Sequence, residues 1–296
     1  MDKIVECVPN FSEGRDLQKV EQIVDAFRGR EGVKLLDYSN DRDHNRMVVT
    51  AVGAPGAIKE AVVEAVGRAA RLIDLTRHTG GHPRMGAADV VPFIPVRGMG
   101  MDEAVALSRE VGQAVAERYG IPVYLYEKSA SAPHRENLAD VRRGQFEGLA
   151  EKMARPEWRP DFGPARPHPT AGACIVGARI PLIAYNINLN TDRLDVAQAI
   201  ARRVRHSGGG LRYCKAMGVA LHEKGIVQVS MNLTDYTHTA IYQVQELVRI
   251  EAARYGVTLA GGELIGLMPL GALLDTASYY LGLDGLTPDR ILEMNC

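Results

Sequence analysis

The chain has 296 residues, of which 46% are hydrophobic and 24% charged, with a formal net charge of -1. These proportions fit one large or two medium globular domains, and the near-zero charge excludes the global basic field of a nucleic-acid binder while allowing local patches for small anions. Cys7, Cys174, Cys214 and Cys296 are scattered without a C-x-x-C pair, so neither structural zinc nor a disulfide framework is expected. MDKIVECVPNF opens the chain without an apolar leader, and no apolar run is long enough for a membrane span. A cytoplasmic protein without membrane or nucleic-acid partners is the expectation.

Ile4–Val8 reads as a short strand, and Leu17–Phe27 carries apolar residues at helical spacing after the turn residues NFSEGRD. Val33–Tyr38 and Met47–Val52 read as strands, joined by the polar SNDRDHNR. Pro55 opens an Ala/Val-rich helix to about Leu75, with proline near its first turn. Asp89–Val96 returns as a strand whose two prolines predict an edge position or irregularity. Asp102–Tyr119 reads as a helix and Pro122–Tyr126 as a strand. Helix and loop mix from Ser129 to Pro169, where WRPDFGPARPHP holds too many prolines for regular structure.

The second half repeats the order: strand Leu182–Asn188, helix Asp192–Arg205, strands Tyr213–Leu221 and Ile226–Leu233 joined by HEKG, helix His238–Tyr255, strand Val257–Leu264. The order β-α-β-β-α-β, seen twice, predicts an α+β chain of two ferredoxin-like subdomains, residues 1–178 and 179–296. Their helix-free sheet faces are expected to meet across a ligand channel.

RHTGGHPRMGA, Arg77 to Ala87, packs two histidines, two arginines, three glycines and a proline into eleven residues. Gly80, Gly81 and Pro83 stop the preceding helix, so the segment is a loop feeding a strand. His82, between Gly81 and Pro83, can move a proton in either direction near neutral pH. The residues alone leave a surface turn as an equal alternative. His78 and His82 have the i, i+4 spacing of a zinc pair, but the intervening T-G-G breaks the helix such a pair needs. Arg46 and Arg84 are candidates to fork onto carboxylates. The polar SNDRDHNR connection is expected at the sheet end opposite the loop after the second helix, with Asp43 and His44 merely solvated. Stiff GPARPHPTAG, Gly163–Gly172, suits a ligand wall, whereas Gly208–Gly210 lacks the order of a phosphate fingerprint.

VECVPNFSEGR, RLIDLTRHTGGHPRMGAADVVPFIPVRG, PVYLYE and WRPDFGPARPHPTAGACIVGARIPLIAYNINLNT resemble the formiminotransferase family, and the resemblance runs along essentially the whole chain. It implies transfer of a formimino group from N-formimino-L-glutamate to N5 of tetrahydrofolate in histidine degradation, by a stand-alone form without a cyclodeaminase domain. The family fold is two α/β subdomains with folate between facing sheets. The family's catalytic histidine falls on His82. Its folate-binding loop falls on Gly163, Pro164, Ala165, Arg166, Pro167, His168, Pro169, Thr170, Ala171 and Gly172. Tetrahydrofolate is then a co-substrate, no metal is expected, and the partners are small molecules, with a homodimer allowed. Three alternatives stay open: a related enzyme using N-formylglutamate or 5-formyltetrahydrofolate, a metal hydrolase on His78, His82 and Asp89, and a ligand-binding module without catalysis.

Overall fold

The structure, a computed structural model, describes residues 3–295, the side chain of His222 excepted. The chain divides into two compact units, Met1–Arg179 and Ile180–Cys296.

The first unit opens with β1 (Ile4–Cys7) and β2 (Asn10–Phe11), two pieces of one strand lane broken at Val8 and Pro9. Helix α1 (Leu17–Val24) starts where the Asp16 carboxylate accepts the N–H groups of Gln18 and Lys19 at 3.0 and 3.3 Å, satisfying donors that the first turn leaves free. A hairpin of β3 (Val33–Asp41) and β4 (Arg46–Gly53) follows. Helix α2 (Pro55–Leu72) has proline at its start, and β5 (Ala88–Arg97) receives the chain after the histidine-rich loop. Helix α3 (Met101–Tyr119) opens with the Glu103 carboxylate accepting the Gly100 N–H at 3.0 Å and ends at left-handed Gly120, a cap only glycine adopts cheaply. Strand β6 (Val123–Glu127), the short helices α4 (Leu138–Arg142) and α5 (Leu149–Met153), and β7 (Cys174–Ala178) complete the unit.

The sheet runs β3-β4-(β1, β2)-β5-β7-β6, antiparallel up to β5 and parallel through β7 and β6. Strand β4 alternates Met47, Val49 and Ala51 into a core shared with α1, α2 and α3, leaving Arg46, Val48 and Thr50 on the other face. Over β5, β7 and β6 that other face is covered as well. There Val90, Tyr124, Tyr126 and Ile175 pack against Val141 of α4 and Leu149 and Met153 of α5, as parallel strands require.

Two expectations change and a third is resolved. Strand β5 is interior, so of the edge or irregular strand that its prolines predict, the irregular one holds. Pro92 serves the ladder through its carbonyl, which accepts the Val8 N–H at 3.2 Å. Pro95 lies beyond the last β7 pair and opposite a register shift in β1, so its missing N–H falls where the ladder is already broken. Strand β7 was not expected at all. The hairpin turn of Asp41–Arg46 lies at the same sheet end as the loop after α2, because α2 runs back antiparallel to β4; the Gly81 N–H donates to the Asp43 carbonyl at 3.1 Å.

The second unit contains β8 (Ile183–Leu189), α6 (Leu194–Val204), β9 (Cys214–Leu221), β10 (Ile226–Leu233), α7 (Ile241–Ala253), β11 (Leu259–Ile265) and α8 (Leu270–Leu281). Its antiparallel sheet has the order β11-β8-β10-β9. Ile183, Ile187, Leu189, Val227, Val229, Met231 and Leu233 face a core with α6 and α7. The alternate positions Asn186, Asn188 and Gln228 form an amide cluster with Glu263. Helix α8 was not read from the sequence. Among the described residues no helix is long and apolar enough to cross a membrane.

One glycine pair welds the histidine-rich and proline-rich loops of the first unit. Gly86 and Gly172 form a bridge, Gly172 has φ +68°, and a Cβ there would stand 2.1 Å from the Met85 carbonyl oxygen. Gly172→Ala is therefore expected to lower stability by about 2–4 kcal/mol, combining left-handed strain with overpacking. A lower denaturant midpoint at unchanged slope checks it.

Candidate active site

The loop RHTGGHPRMGA is fixed at both ends by backbone contacts. At its start it meets the hairpin turn through Asn45, which holds φ 49°. The Asn45 side chain accepts the Gly14 N–H at 3.0 Å and donates to the Thr79 carbonyl at 2.9 Å. A Cβ on Gly80 would lie 2.3 Å from the His44 carbonyl oxygen, so that glycine permits the approach. At its end the loop docks on the segment before β7: Ala87 N–H donates to the Ala171 carbonyl at 3.0 Å and Ala173 N–H to the Met85 carbonyl at 2.9 Å.

His78 is a structural residue of this loop. Its Nδ1 accepts from Arg84 Nε at 3.1 Å, so its Nε2 carries the hydrogen toward the Asn45 carbonyl at 3.0 Å. Burial, the larger cause, and the Arg84 charge lower its pKa. With both ring nitrogens engaged, His78 has no lone pair left for a metal. Asp89, the third member of the hydrolase alternative, accepts the Met85 N–H at 2.8 Å and pairs with Arg142 at 2.6 Å. Among the described residues no three His, Cys, Asp or Glu side chains gather as a metal-holding group.

Arg84 is buried, and its fork is already occupied. It reaches both carboxylate oxygens of Glu147, at 3.0 and 2.7 Å, with Gln145 at 3.2 Å and the His78 carbonyl at 3.1 Å. The carboxylate expected from a substrate is supplied here by the chain itself. The Arg84–Glu147 pair ties the loop to the segment between α4 and α5.

His82 and His78 line one narrow crevice, together with Phe11, Ser12, His44, Asn45, Arg46, Arg84 and Asp89. Burial pushes the His82 pKa down to about 3, and Arg46, Arg142 and His44 push the same way, against a backbone hydrogen bond at Pro83. At neutral pH the imidazole is therefore uncharged and only weakly basic. His44, whose Nδ1 pairs with Asp41 at 2.8 Å, is an exposed turn residue as expected, and it lies edge-on to His82 with ring centroids 6.4 Å apart.

Arg46 starts β4 on the face away from the main core. Its buried Nε has no hydrogen-bond partner among the described residues, and burial, followed by the Arg142 charge, pulls its pKa to about 10. Arg142 ends α4 and was not foreseen, since its five-residue helix carries no periodic signal long enough to read.

The proline-rich loop Gly163–Gly172 is irregular, as its composition predicts. His168 organises its end: its N–H donates to the Gly172 carbonyl at 2.9 Å, and its Nδ1 accepts the Ala171 N–H at 3.0 Å. Ala171 and Gly172 are buried against the histidine loop, whereas Gly163, Ala165, Arg166 and Pro169 are exposed. Pro164, Pro167, His168 and Thr170 are half-buried. The Thr170 carbonyl accepts the Leu75 N–H at 2.8 Å. The loop thus docks on both flanks of the His82 segment.

Residues 4–179 match the model of the formiminotransferase domain, N-terminal subdomain, and residues 184–288 match that of the formiminotransferase domain. The chain belongs to the formiminotransferase family. It is 50% identical to the glutamate formimidoyltransferase of Streptococcus pyogenes, over 95% of this chain and 94% of that one. With the glutamate formimidoyltransferase of Thermoplasma acidophilum it shares 47% identity, over 98% and 96%. It is also 42% identical to the formimidoyltransferase-cyclodeaminase of Rattus norvegicus, over 99% of this chain but 60% of that longer one.

In this formiminotransferase-family chain the titration of His82 leaves a stability signature. Its pKa is depressed from 6.5 to about 3 on folding, so between those values the unfolded chain binds a proton there that the folded chain does not. Stability at this residue is complete above about pH 6.5 and declines as pH falls toward about 3. His82→Asn is expected to flatten the acid side of the stability curve, by up to one proton's worth of slope. Parallel curves for the two proteins in denaturant titrations between pH 4 and 7 would refute that.

Proposed function

We propose that the chain transfers the formimino group of N-formimino-L-glutamate to N5 of tetrahydrofolate, with His82 moving the protons. The observation that carries this reading is an imidazole held neutral in a pocket with the buried Arg46 guanidinium. Relatives at 50% and 47% identity, both called glutamate formimidoyltransferase, support the same reaction.

The chemistry asks for proton movement and orientation. N5 attacks the formimino carbon, forming the new C–N bond and a tetrahedral intermediate. Neutral His82 takes the proton that N5 must lose. The resulting imidazolium gives a proton to the glutamate nitrogen, the old C–N bond breaks, and glutamate leaves as a neutral amine. One imidazole within reach of both nitrogens completes the cycle without net proton uptake. Such a shuttle contributes roughly 10²–10⁴ in rate, and holding two substrates together adds an entropic advantage of its own.

The remaining parts of the site follow from the loops. Gly163–Gly172 is assigned to the folate, supported by its docking on the His82 segment and by its exposed Ala165–Arg166 turn. Arg46 is assigned to a substrate carboxylate, since its buried Nε lacks a partner among the described residues. Arg84, spent on Glu147 and His78, is assigned to holding the loop. Each unit is read as ferredoxin-like, supported by the order β11-β8-β10-β9 in the second and β5-(β1, β2)-β4-β3 in the first.

His82→Ala is expected to lower turnover by about 10²–10⁴ while tetrahydrofolate affinity changes little. Near-normal turnover of the folded variant would remove His82 from the mechanism. Assays of 5-substituted folate formation with formiminoglutamate and with formylglutamate test the reaction itself. Formation only with the formyl donor transfers the site to a formyltransferase, and formation with neither ends the assignment.

A further inference from the structure

Arg46 lines the crevice with His82, Arg142 pairs with Asp89 of the same crevice, and buried N–H groups of both arginines are incompletely used. Arg142 approaches Asp89 with Nη2 2.6 Å from Oδ2, yet its buried Nε and Nη2, like Arg46 Nε, have no aligned hydrogen-bond acceptor among the described residues. Buried donors of this kind are costly unless something completes them. Asp89 pairs with Arg142, Arg84 is matched by Glu147, and Asp41 and Asp89 both act on Arg46, so the charges nearly balance. What stays open is the buried N–H donors, which a two-oxygen monoanion would satisfy.

Arg142 is placed with unusual rigidity for a residue on so short a helix. Lys152 Nζ donates to the carbonyls of Asp140, Val141 and Arg143, at 2.9, 2.5 and 3.2 Å, closing the end of α4. The Lys152 ammonium also lies 3.8 Å from the Trp158 ring centroid. Val141 is packed under the strands carrying Tyr126 and Ile175. The guanidinium is therefore presented as a fixed fork rather than a mobile tether.

Resting on the formimino-transfer reading, we propose that Arg142 and Arg46 together clasp the α-carboxylate of the formimino donor. The chemistry of the donor selects that carboxylate. In N-formimino-L-glutamate the nitrogen that His82 must protonate is bonded to Cα, and the α-carboxylate is bonded to the same carbon. A residue pair touching the surroundings of His82 is within reach of the α-carboxylate when that nitrogen is at the imidazole. The γ-carboxylate, three carbons from that nitrogen, is free to lie elsewhere.

Two consequences follow. Recognition at the α-carbon makes α-amino acid derivatives the donors and rejects formimino amines without a carboxylate there. Donor binding also changes the setting of His82, which is faced by Arg46 from β4, Arg142 from α4, His44 from the hairpin turn and Asp89 from β5. An anion between the arginines weakens the positive field that opposes protonation of the ring, so the shuttle becomes more basic once its substrate is in place.

The test compares the full chain with Arg142→Gln and Arg142→Lys, using Michaelis constants for both substrates and three competitive inhibitors. Arg142→Gln is expected to raise the formiminoglutamate constant by about ten- to a hundredfold, as for loss of a charged hydrogen-bonded pair, and to leave that for tetrahydrofolate unchanged. Arg142→Lys should fall between, and it keeps the charge opposite Asp89 should the glutamine variant fold poorly. Inhibition by L-glutamate and by L-2-aminobutyrate, which lacks the γ-carboxylate, should weaken together in the variants. Inhibition by 4-aminobutyrate, which lacks the α-carboxylate, should not. The reverse inhibitor pattern, or equal effects on both Michaelis constants, overturns the clasp while leaving the transfer reading intact. A wild-type chain that binds glutamate through Arg142 but transfers no formimino group overturns the transfer reading instead.

Discussion

Close backbone packing between loops is the constraint on which the site depends. Gly80 lies where a side chain would strike the His44 carbonyl, and Gly86 and Gly172 meet where a side chain would strike Ala173 and Met85. These contacts bring the hairpin turn, the histidine loop and the proline-rich loop to one end of one sheet. None of the three is regular structure, so secondary-structure hydrogen bonds cannot hold them. They hold one another instead, and the polar side chains Asn45, His78 and His168 complete the backbone groups that such packing leaves open.

Burial then sets the chemistry. A histidine in open water would be part-protonated near neutral pH; His82 is held neutral, first by desolvation and then by Arg46 and Arg142. Those cations are tolerated because Asp89, buried at the head of β5, stands against Arg142. Arg84 is kept out of this balance by Glu147. The polar centre is thus a small number of buried, largely paired charges with some N–H donors left open.

Legibility varied with how local each signal was. Pro55 at the start of α2, the turn residues before α1 and the strand character of β4 could be read directly, because each depends on residues within a turn or a strand. The prolines of β5 left edge and irregularity open, since whether a missing N–H matters depends on the neighbouring strands: Pro95 sits at a break in the β1 ladder. Strand β7 was invisible because CIVGA is short, and its place between β5 and β6 is decided by long-range pairing. Helix α4 was missed for the same reason, and Arg142 with it.

The sequence by itself determined that the histidine-rich segment is a loop, that His82 is a candidate for proton transfer, that Gly163–Gly172 is stiff, and which family the motifs resemble. Glycine and proline act on the backbone locally, and an imidazole has its chemistry wherever it stands. Only the tertiary structure decided that His78 is tied at both ring nitrogens, that Arg84 faces Glu147, and that Arg46 lines the crevice with His82. Hydrogen-bond partners, desolvation and charge neighbours come from residues far apart in the chain, and only packing brings them within a few ångströms.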